Sequence, residues 1–443
     1  MPEERIEELL EQRDFKQLKL ELEDMYPVDL AEIMEELTDK QVVLIFRLLP
    51  KEEAAETFSY MNAEMRQVLI DALTDSELQE VMEEMYIDDT VDVLEEMPAN
   101  VVDRLLLVTD EETRKQINML LQYPDDSAGS IMNVEYIALR KEMTVAEAIL
   151  KIRQVGINKE TIYTCYVTEK RKLIGSVDVK DLLTTGENKV IEEIMETNPL
   201  FVRTLDDKED VANTIHKYGL IAIPVLDQEM CMVGIVTVDD AMIVLQDEAT
   251  EDMSVMAGVV PNEESYFGTS VWEHARNRFP WLLFLMLSAT ITGLILGHFE
   301  AALAVMPILN TFIPMLTGTG GNCGSQSSTL IIRGLTVGEI EFKDIFRVLF
   351  KEIRVALLVG LCLSMVNGVR VIIMYGDPLL AFAIGLTMIA TILLSKTVGC
   401  VLPLVAKKCR LDPAIMAAPL ITTLVDTGTI LVYFAIVTRI FHI

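Results

Sequence analysis

Two uncharged stretches constrain this chain more than any other feature. The 21 residues between Arg278 and Glu300, and the 32 between Glu300 and Arg333, contain no Lys, Arg, Asp or Glu. A helix needs about 20 apolar residues to cross a bilayer core. Three further apolar stretches follow near 347–375, 378–406 and 413–440, so this part is expected to cross a membrane five times. Trp272 and Trp281 flank the first span, where interfacial anchors belong. Basic residues gather before span 1 (Arg276, Arg278), between spans 2 and 3 (Arg333, Lys343, Arg347, Lys351, Arg354) and between spans 4 and 5 (Lys407, Lys408, Arg410). The positive-inside rule then predicts a multi-pass protein of the cell membrane, N-terminus cytoplasmic and C-terminus outside. The first residues, MPEERIEELLEQRD, are charged throughout and do not read as a signal peptide.

Charge divides the chain at the same place. Residues 1–270 carry 60 acidic and 24 basic side chains, net −36, whereas 271–443 carry 9 and 13, net +4. Such an acidic surface excludes nucleic acid as a partner, because phosphates demand a basic footprint. Membrane lipid is the expected surround of the second half alone. The six cysteines form no CxxC pair and the four histidines are scattered, so no soft-metal cluster is legible.

Two spans depart from ordinary lipid-facing helices. Span 2 contains PMLTGTGGNCGSQSS, with Pro314, Gly318, Gly320, Gly321, Asn322, Gly324 and Gln326. Irregular backbone at membrane depth is tolerated only where protein buries it or a water-filled cavity accepts it; small-residue helix packing is the alternative. Span 5 contains PAIMAAPLITTLVDTGT, with Pro413, Pro419, Thr422, Thr423 and one central carboxylate, Asp426. A charge at mid-membrane costs about 2.5–3.5 kcal/mol on insertion scales and marks a functional site by default; a hydrogen bond to a neighbouring helix is the structural alternative. Together the two spans read as a permeation path. Carboxylate, hydroxyl, amide and carbonyl oxygens suit hard divalent cations such as Mg2+ or Ca2+. One Asp is thin for a divalent ion, and a two-fold axis through the path would supply two.

The acidic half contains two repeats. In the first, Met25, Leu37, Leu49, Met61, Leu73, Met85 and Met97 recur every 12 residues, with Met34, Phe46, Phe58, Ile70, Met82, Leu94 and Leu106 keeping step three residues earlier. That i, i+3 pairing is helical. Capping boxes at Thr38, Thr74 and Thr109, with Pro50 and Pro98 in first turns, predict a stack of short helices in an α-solenoid. In the second repeat, Ile174–Asp181 aligns with Val233–Asp240, Cys165-Tyr166-Val167 with Pro224-Val225-Leu226, and Ile131-Met132 with Ile194-Met195. Each copy predicts a helix, two strands around a turn, and another helix. This spacing resembles a tandem pair of CBS domains, which often bind adenine nucleotides. Thr237 and Asp240 match the ribose-contacting pattern; the first copy has Asp178 where that Thr would stand. A purely structural pair is the alternative.

A connector, DEATEDMSVMAGVVPNEES, leads to span 1. On a helix, Asp247 and Glu251, and Glu248 and Asp252, are like-charged i, i+4 pairs, which repel by a few tenths of a kcal/mol each. Basic loops, a bound divalent cation or plain solvation could offset that repulsion.

The layout and the motifs Pro314-x3-Gly318-x-Gly320-Gly321-Asn322-x-Gly324-x-Gln326 and Leu411-Asp412-Pro413-Ala414-x4-Pro419-x2-Thr422-Thr423-x2-Asp426-x-Gly428 resemble those of the MgtE family of magnesium channels or transporters. The resemblance covers essentially the whole chain. It implies an acidic α-helical N domain (1–127), tandem α/β CBS domains (128–245), a connecting or plug helix (246–270) and a transmembrane pore domain of five helices (271–443). It also implies a homodimer with a central pore in which Asp426 forms the ion site, and Mg2+ both as cargo and as regulator. Glu248, Glu251 and Asp252 match the family's connecting-helix ligands. Asp240 would join Asp88 or Asp92 and the Gly129 carbonyl in a site between domains, matched on the short motifs IDDTVD and SAGSIM. At low Mg2+ the acidic surfaces would repel and open the pore; at high Mg2+ bridging ions would close it. ATP at the CBS pair is a further expectation. Two other function classes are a membrane-anchored nucleotide or metal sensor without transport, and a membrane enzyme. An anchor needs neither Asp426 nor an irregular span 2, and an enzyme needs more reactive groups than one central carboxylate and His298.

Overall fold

A computed structural model describes residues 2–262, 266, 268–416 and 418–443. It divides into two compact units, one through Gln246 and one from Asp247.

Ten short helices open the first unit, from α1 (Pro2–Gln12) to α10 (Glu111–Leu120), among them α8 (Ile87–Glu95) and α9 (Ala99–Val108). The 12-residue apolar period supplies their core: Met34, Phe46, Phe58, Ile70, Met82 and Leu94 are all buried. Thr74 begins its helix as expected, its hydroxyl accepting from Glu77 N at 3.3 Å while Glu77 accepts from Thr74 N at 2.8 Å. Thr38 and Gln41 repeat that box. The third box does not form. Thr109 donates its hydroxyl to the Leu105 carbonyl at 2.8 Å, closing α9, so the adjacent Asp110 caps α10 instead. Pro50 and Pro98 stand one position earlier than expected, at the N-caps.

The second repeat makes two small sheets. The first has the order β1 (Ala138–Leu139), β2 (Thr164–Glu169), β3 (Lys172–Asp178), β4 (Glu196–Thr197); the second has β5 (Val202–Arg203), β6 (Ala222–Leu226), β7 (Met232–Thr237). Helices α11 (Val145–Val155), α12 (Val179–Thr184) and α13 (Lys208–Tyr218) accompany them, and α14 (Val238–Met256) follows β7. The Ile-Met segments cross over between copies. A side chain at Gly175 would strike Met195 and the Glu196 carbonyl, and one at Gly234 would strike Met132 and the Asn133 carbonyl. Each hairpin is therefore completed by the segment preceding the other copy, a close approach that only glycine permits. Asn133 is fixed by this exchange, giving its N–H to the Ile235 carbonyl and accepting from Ile235 N, both at 2.8 Å.

The second unit contains α15 (Val271–His298), the short α16 (Glu300–Val305), α17 (Ile313–Thr336), α18 (Ile345–Tyr375), α19 (Pro378–Lys408) and α20 (Ala418–Phe441). Among the described residues, four segments are long and apolar enough to cross a membrane: α15, Phe342–Tyr375 (which contains α18), α19, and Pro413–Phe441 (which contains α20). The remaining expected span, α17, has the length but is diluted by Gly, Thr, Asn and Ser. It also differs from expectation in its backbone. The run TGTGGNCGSQ is continuous helix, and the irregular turns lie ahead of it at Pro307–Phe312. Its glycines serve helix packing: a side chain at Gly320 would meet Thr391 and Val425, at Gly321 Thr422, and at Gly324 Ile421 and Ser395. Many apolar side chains of α15 and α18, such as Leu282, Leu294, Leu358 and Ile373, are exposed, as lipid-facing helices require.

Candidate functional site

In the first unit the fold gathers carboxylates from three separate parts of the chain. Helix α8 carries Asp88, Asp89 and Asp92, the loop after α11 carries Glu160, and the first turn of α14 carries Asp239 and Asp240. Asn133, held by its bridge to β7, divides its side-chain amide between Asp88 Oδ1 and Glu160 Oε2, each at 3.0 Å. Burial, then repulsion from Asp89, pushes Asp88 up to about 7 despite that hydrogen bond. Desolvation and Asp88 raise Glu160 to about 8. Burial and Asp88 likewise lift Asp240 to about 6, and desolvation and Asp240 lift Asp89 to about 6. Asp92 is exposed at the edge, where partial desolvation and the charges of Asp88 and Asp89 raise it as well. The nearest counter-charge, Arg66, lowers Asp89 but is bound elsewhere. It pairs with Glu96 at 2.6 Å and donates to the Phe58 and Ser59 carbonyls.

Expected site residues Asp88, Asp92 and Asp240 are thus brought together. Asp89 and Asp239 come with them as chain neighbours of Asp88 and Asp240, whereas Asn133 and Glu160 were not legible from the sequence, because a non-local backbone bridge fixes Asn133 and its amide then reaches Glu160. Gly129 is tied by its N–H to the Thr204 carbonyl at 2.9 Å and packs under the Tyr123 ring. Among the described residues, no three His, Cys, Asp or Glu side chains converge tightly enough to ligate a metal directly. All-oxygen donors held apart fit a hydrated Mg2+, which parts with its water reluctantly. Thr237 is buried and donates to Asp240 Oδ2. A hydroxyl and a carboxylate held side by side in this way are the kind of groups that can bind a ribose hydroxyl. In the other copy Asp178 accepts from Thr164 at 2.9 Å.

In the second unit the connector residues Glu248, Glu251 and Asp252 lie on α14. Asp252 is raised by partial burial and by Asp412, while the Thr336 hydroxyl donates to it at 3.4 Å. Asp412 is therefore a second acid at this point. It sits inside the quoted span-5 motif, but its approach to Asp252 depends on folding. On α20, Thr422, Thr423 and Asp426 share a face by i, i+3 and i+4 spacing. Thr422 and Thr423 both donate to the Pro419 carbonyl, at 2.9 and 3.0 Å. Their donor hydrogens are spent, which leaves lone pairs for a cation or its water. Asp426 is half-buried, and among the described residues no hydrogen bond or ion pair engages it. Alongside, α17 packs on α20 through Gly321 and Thr422, while Pro314, Gly318, Asn322, Gln326 and Thr329 form an exposed stripe on α17.

An acid-rich CBS module followed by long apolar helices places the chain in the class of CBS-bearing membrane transporters. Sequence comparison gives the particular family. Residues 25–126 match the MgtE intracellular N domain, 128–187 and 191–247 match CBS domains, and 313–436 match the MgtE divalent cation transporter domain. The magnesium transporter MgtE of Thermus thermophilus is 36% identical over 436 residues, 97% of this chain and 96% of that one. The magnesium transporter MgtE of Bacillus subtilis is 31% identical over 431 residues, 97% and 94% of the two chains. The chain belongs to the MgtE family. Among solved structures, the cytosolic domain of the Mg2+ channel MgtE in complex with ATP is similar at 35% identity with a TM-score of 0.52, spanning 54% of this chain and 98% of that one. The soluble part of a magnesium transporter gives 27% and 0.53, spanning 56% and 98%.

Proposed function

We propose that the chain is a homodimeric Mg2+ channel for uptake across the cell membrane, gated by cytoplasmic Mg2+. The observation that carries this reading is Asp426, which has no hydrogen-bond or ion-pair partner among the described residues and shares a face of α20 with Thr422 and Thr423, on a helix packed against α17, whose Asn322 and Gln326 are exposed. A lone carboxylate there is costly unless a cation uses it. Two copies across a dimer axis would hold Mg2+ through its water shell, with Pro314 and Pro419 shaping the helix starts. The names of the relatives support magnesium as the cargo.

Gating follows from the acids. Asp88, Asp92 and Asp240, with the Gly129 carbonyl, would hold one regulatory Mg2+, and Glu248, Glu251 and Asp252 others. An ion that binds the closed arrangement more tightly shifts the population toward it by that difference alone. The ATP-bound neighbour supports a nucleotide at Thr237 and Asp240. In proteoliposomes, Asp426→Ala is expected to abolish Mg2+ uptake while the dimer stays folded; normal uptake by that variant would refute the pore assignment.

A further inference from the structure

Asp426 is not alone: the helices of the second unit bury two further charges. Lys396 lies within α19, about 18 Å from the Lys408 end at about 1.5 Å per residue, and its side chain is 7% exposed. Glu352 on α18 is 12% exposed, and Ser327 on α17 is fully buried. Lys396 Nζ donates to Ser327 Oγ at 2.9 Å and meets Glu352 Oε2 at 3.3 Å. Ser327 gives its own proton to that same Glu352 oxygen at 2.6 Å. One hydroxyl thereby ties both charges to α17. The neighbouring Ser395 donates to the Gly320 carbonyl, and a side chain at Gly399 would collide with the Gly324 carbonyl. Three helices are locked at one level.

A buried ion pair rarely repays its desolvation in stability, and its best-attested use is to fix register. Register has a consequence here. Ser327, Gly320 and Gly324 occupy one side of α17, and Gly318, Asn322 and Gln326 the other. A slip of one residue turns a helix by about 100°, enough to carry the polar residues well away from the side they occupy. We infer that Lys396, Glu352 and Ser327 form a rotational clamp on α17, positioning residues that set which oxygens meet the ion and hence its selectivity. The inference rests on α17's exposed face being the wall of the ion path.

Uptake of Mg2+ and of Co2+ by proteoliposomes tests it. Ser327→Ala leaves the charges paired but frees α17, and is expected to shift the Mg2+-to-Co2+ uptake ratio by about fivefold or more. Ser327→Thr, which keeps the hydroxyl, is expected to restore the ratio. The double variant Lys396→Met, Glu352→Gln strands no buried charge, so it is expected to yield folded dimer in normal amount with the ratio again shifted. A merely structural pair would change the amount of folded dimer and leave the ratio alone. Wild-type ratios in both Ser327→Ala and the double variant overturn the clamp. Asp426→Ala, measured alongside, separates the two readings. If it abolishes uptake while the clamp variants keep the wild-type ratio, only the clamp falls. If it transports normally, the pore reading falls and the clamp with it.

Discussion

Asp426 and Asp88 are both acids kept under tension, for opposite reasons. Among the described residues Asp426 has no hydrogen-bond or ion-pair partner, so replacing it with Asn preserves its shape and removes the charge a cation would seek. Asp426→Asn is expected to drop Mg2+ uptake to the background of empty vesicles, measured with an indicator dye, with unchanged elution of the protein on size exclusion. Asp88 is crowded instead. Asp88→Asn removes one of the repelling charges and is expected to make the metal-free first unit more resistant to protease at pH 8, by about 1–3 kcal/mol in opening free energy. Asp426 could be singled out from the sequence because a solitary carboxylate in an apolar stretch has few innocent explanations. Lys396 could not. It sits inside a stretch that reads as apolar, and its partners are 44 and 69 positions away in the chain. No local pattern announces such a pair.

At the scale of elements, periodicity was the reliable guide. The 12-residue apolar spacing, which begins at Met25, foretold the stack from α3 onward, and the matched segments foretold both CBS sheets. Capping was less legible where two candidates adjoin, because Thr109 can serve the helix behind it as well as the one ahead. For span 2, glycine content alone could not separate a lined cavity from tight packing; the neighbours of Gly320, Gly321 and Gly324 decide it. Gly324→Val is expected to destabilise the second unit by about 1–3 kcal/mol through overpacking against Ile421 and Ser395, read as earlier thermal aggregation in detergent. On the proposed gating, changing Glu248, Glu251 and Asp252 of α14 together to Gln, Gln and Asn is expected to leave conductance high as cytoplasmic Mg2+ is raised, where that of the unaltered chain falls. Patch recordings at stepped cytoplasmic Mg2+ would show it.

For the whole molecule, the net charge of −36 on residues 1–270 acquires a pH signature. Asp88, Asp89, Asp240 and Glu160 hold protons in the compact first unit at pH values where dispersed carboxylates have lost them. The compact form therefore binds more protons than the open one between about pH 4 and 8, and its stability falls as pH rises through that window. Without divalent cations, the first unit is expected to be more protease-resistant at pH 5.5 than at pH 8.5. Millimolar Mg2+ should erase the difference, since the ion supplies the positive charge the protons had supplied. Equal resistance at both pH values without Mg2+ would show that the acids are not coupled to compaction.

The exchange of Ile-Met segments between the CBS copies bears on how the chain is born. Asn133 cannot dock until Ile235 exists, about 100 residues later, a delay of about 5–20 s at the pace of synthesis. During that interval Met132 and Asn133 have no strand to complete, and Asn133 cannot draw Asp88 and Glu160 toward one another. The N-terminal helices can form as they emerge, whereas the carboxylate cluster assembles only after the second hairpin has left the ribosome. A nascent chain halted between the repeats would carry every one of α8's aspartates and still lack the centre they help to build.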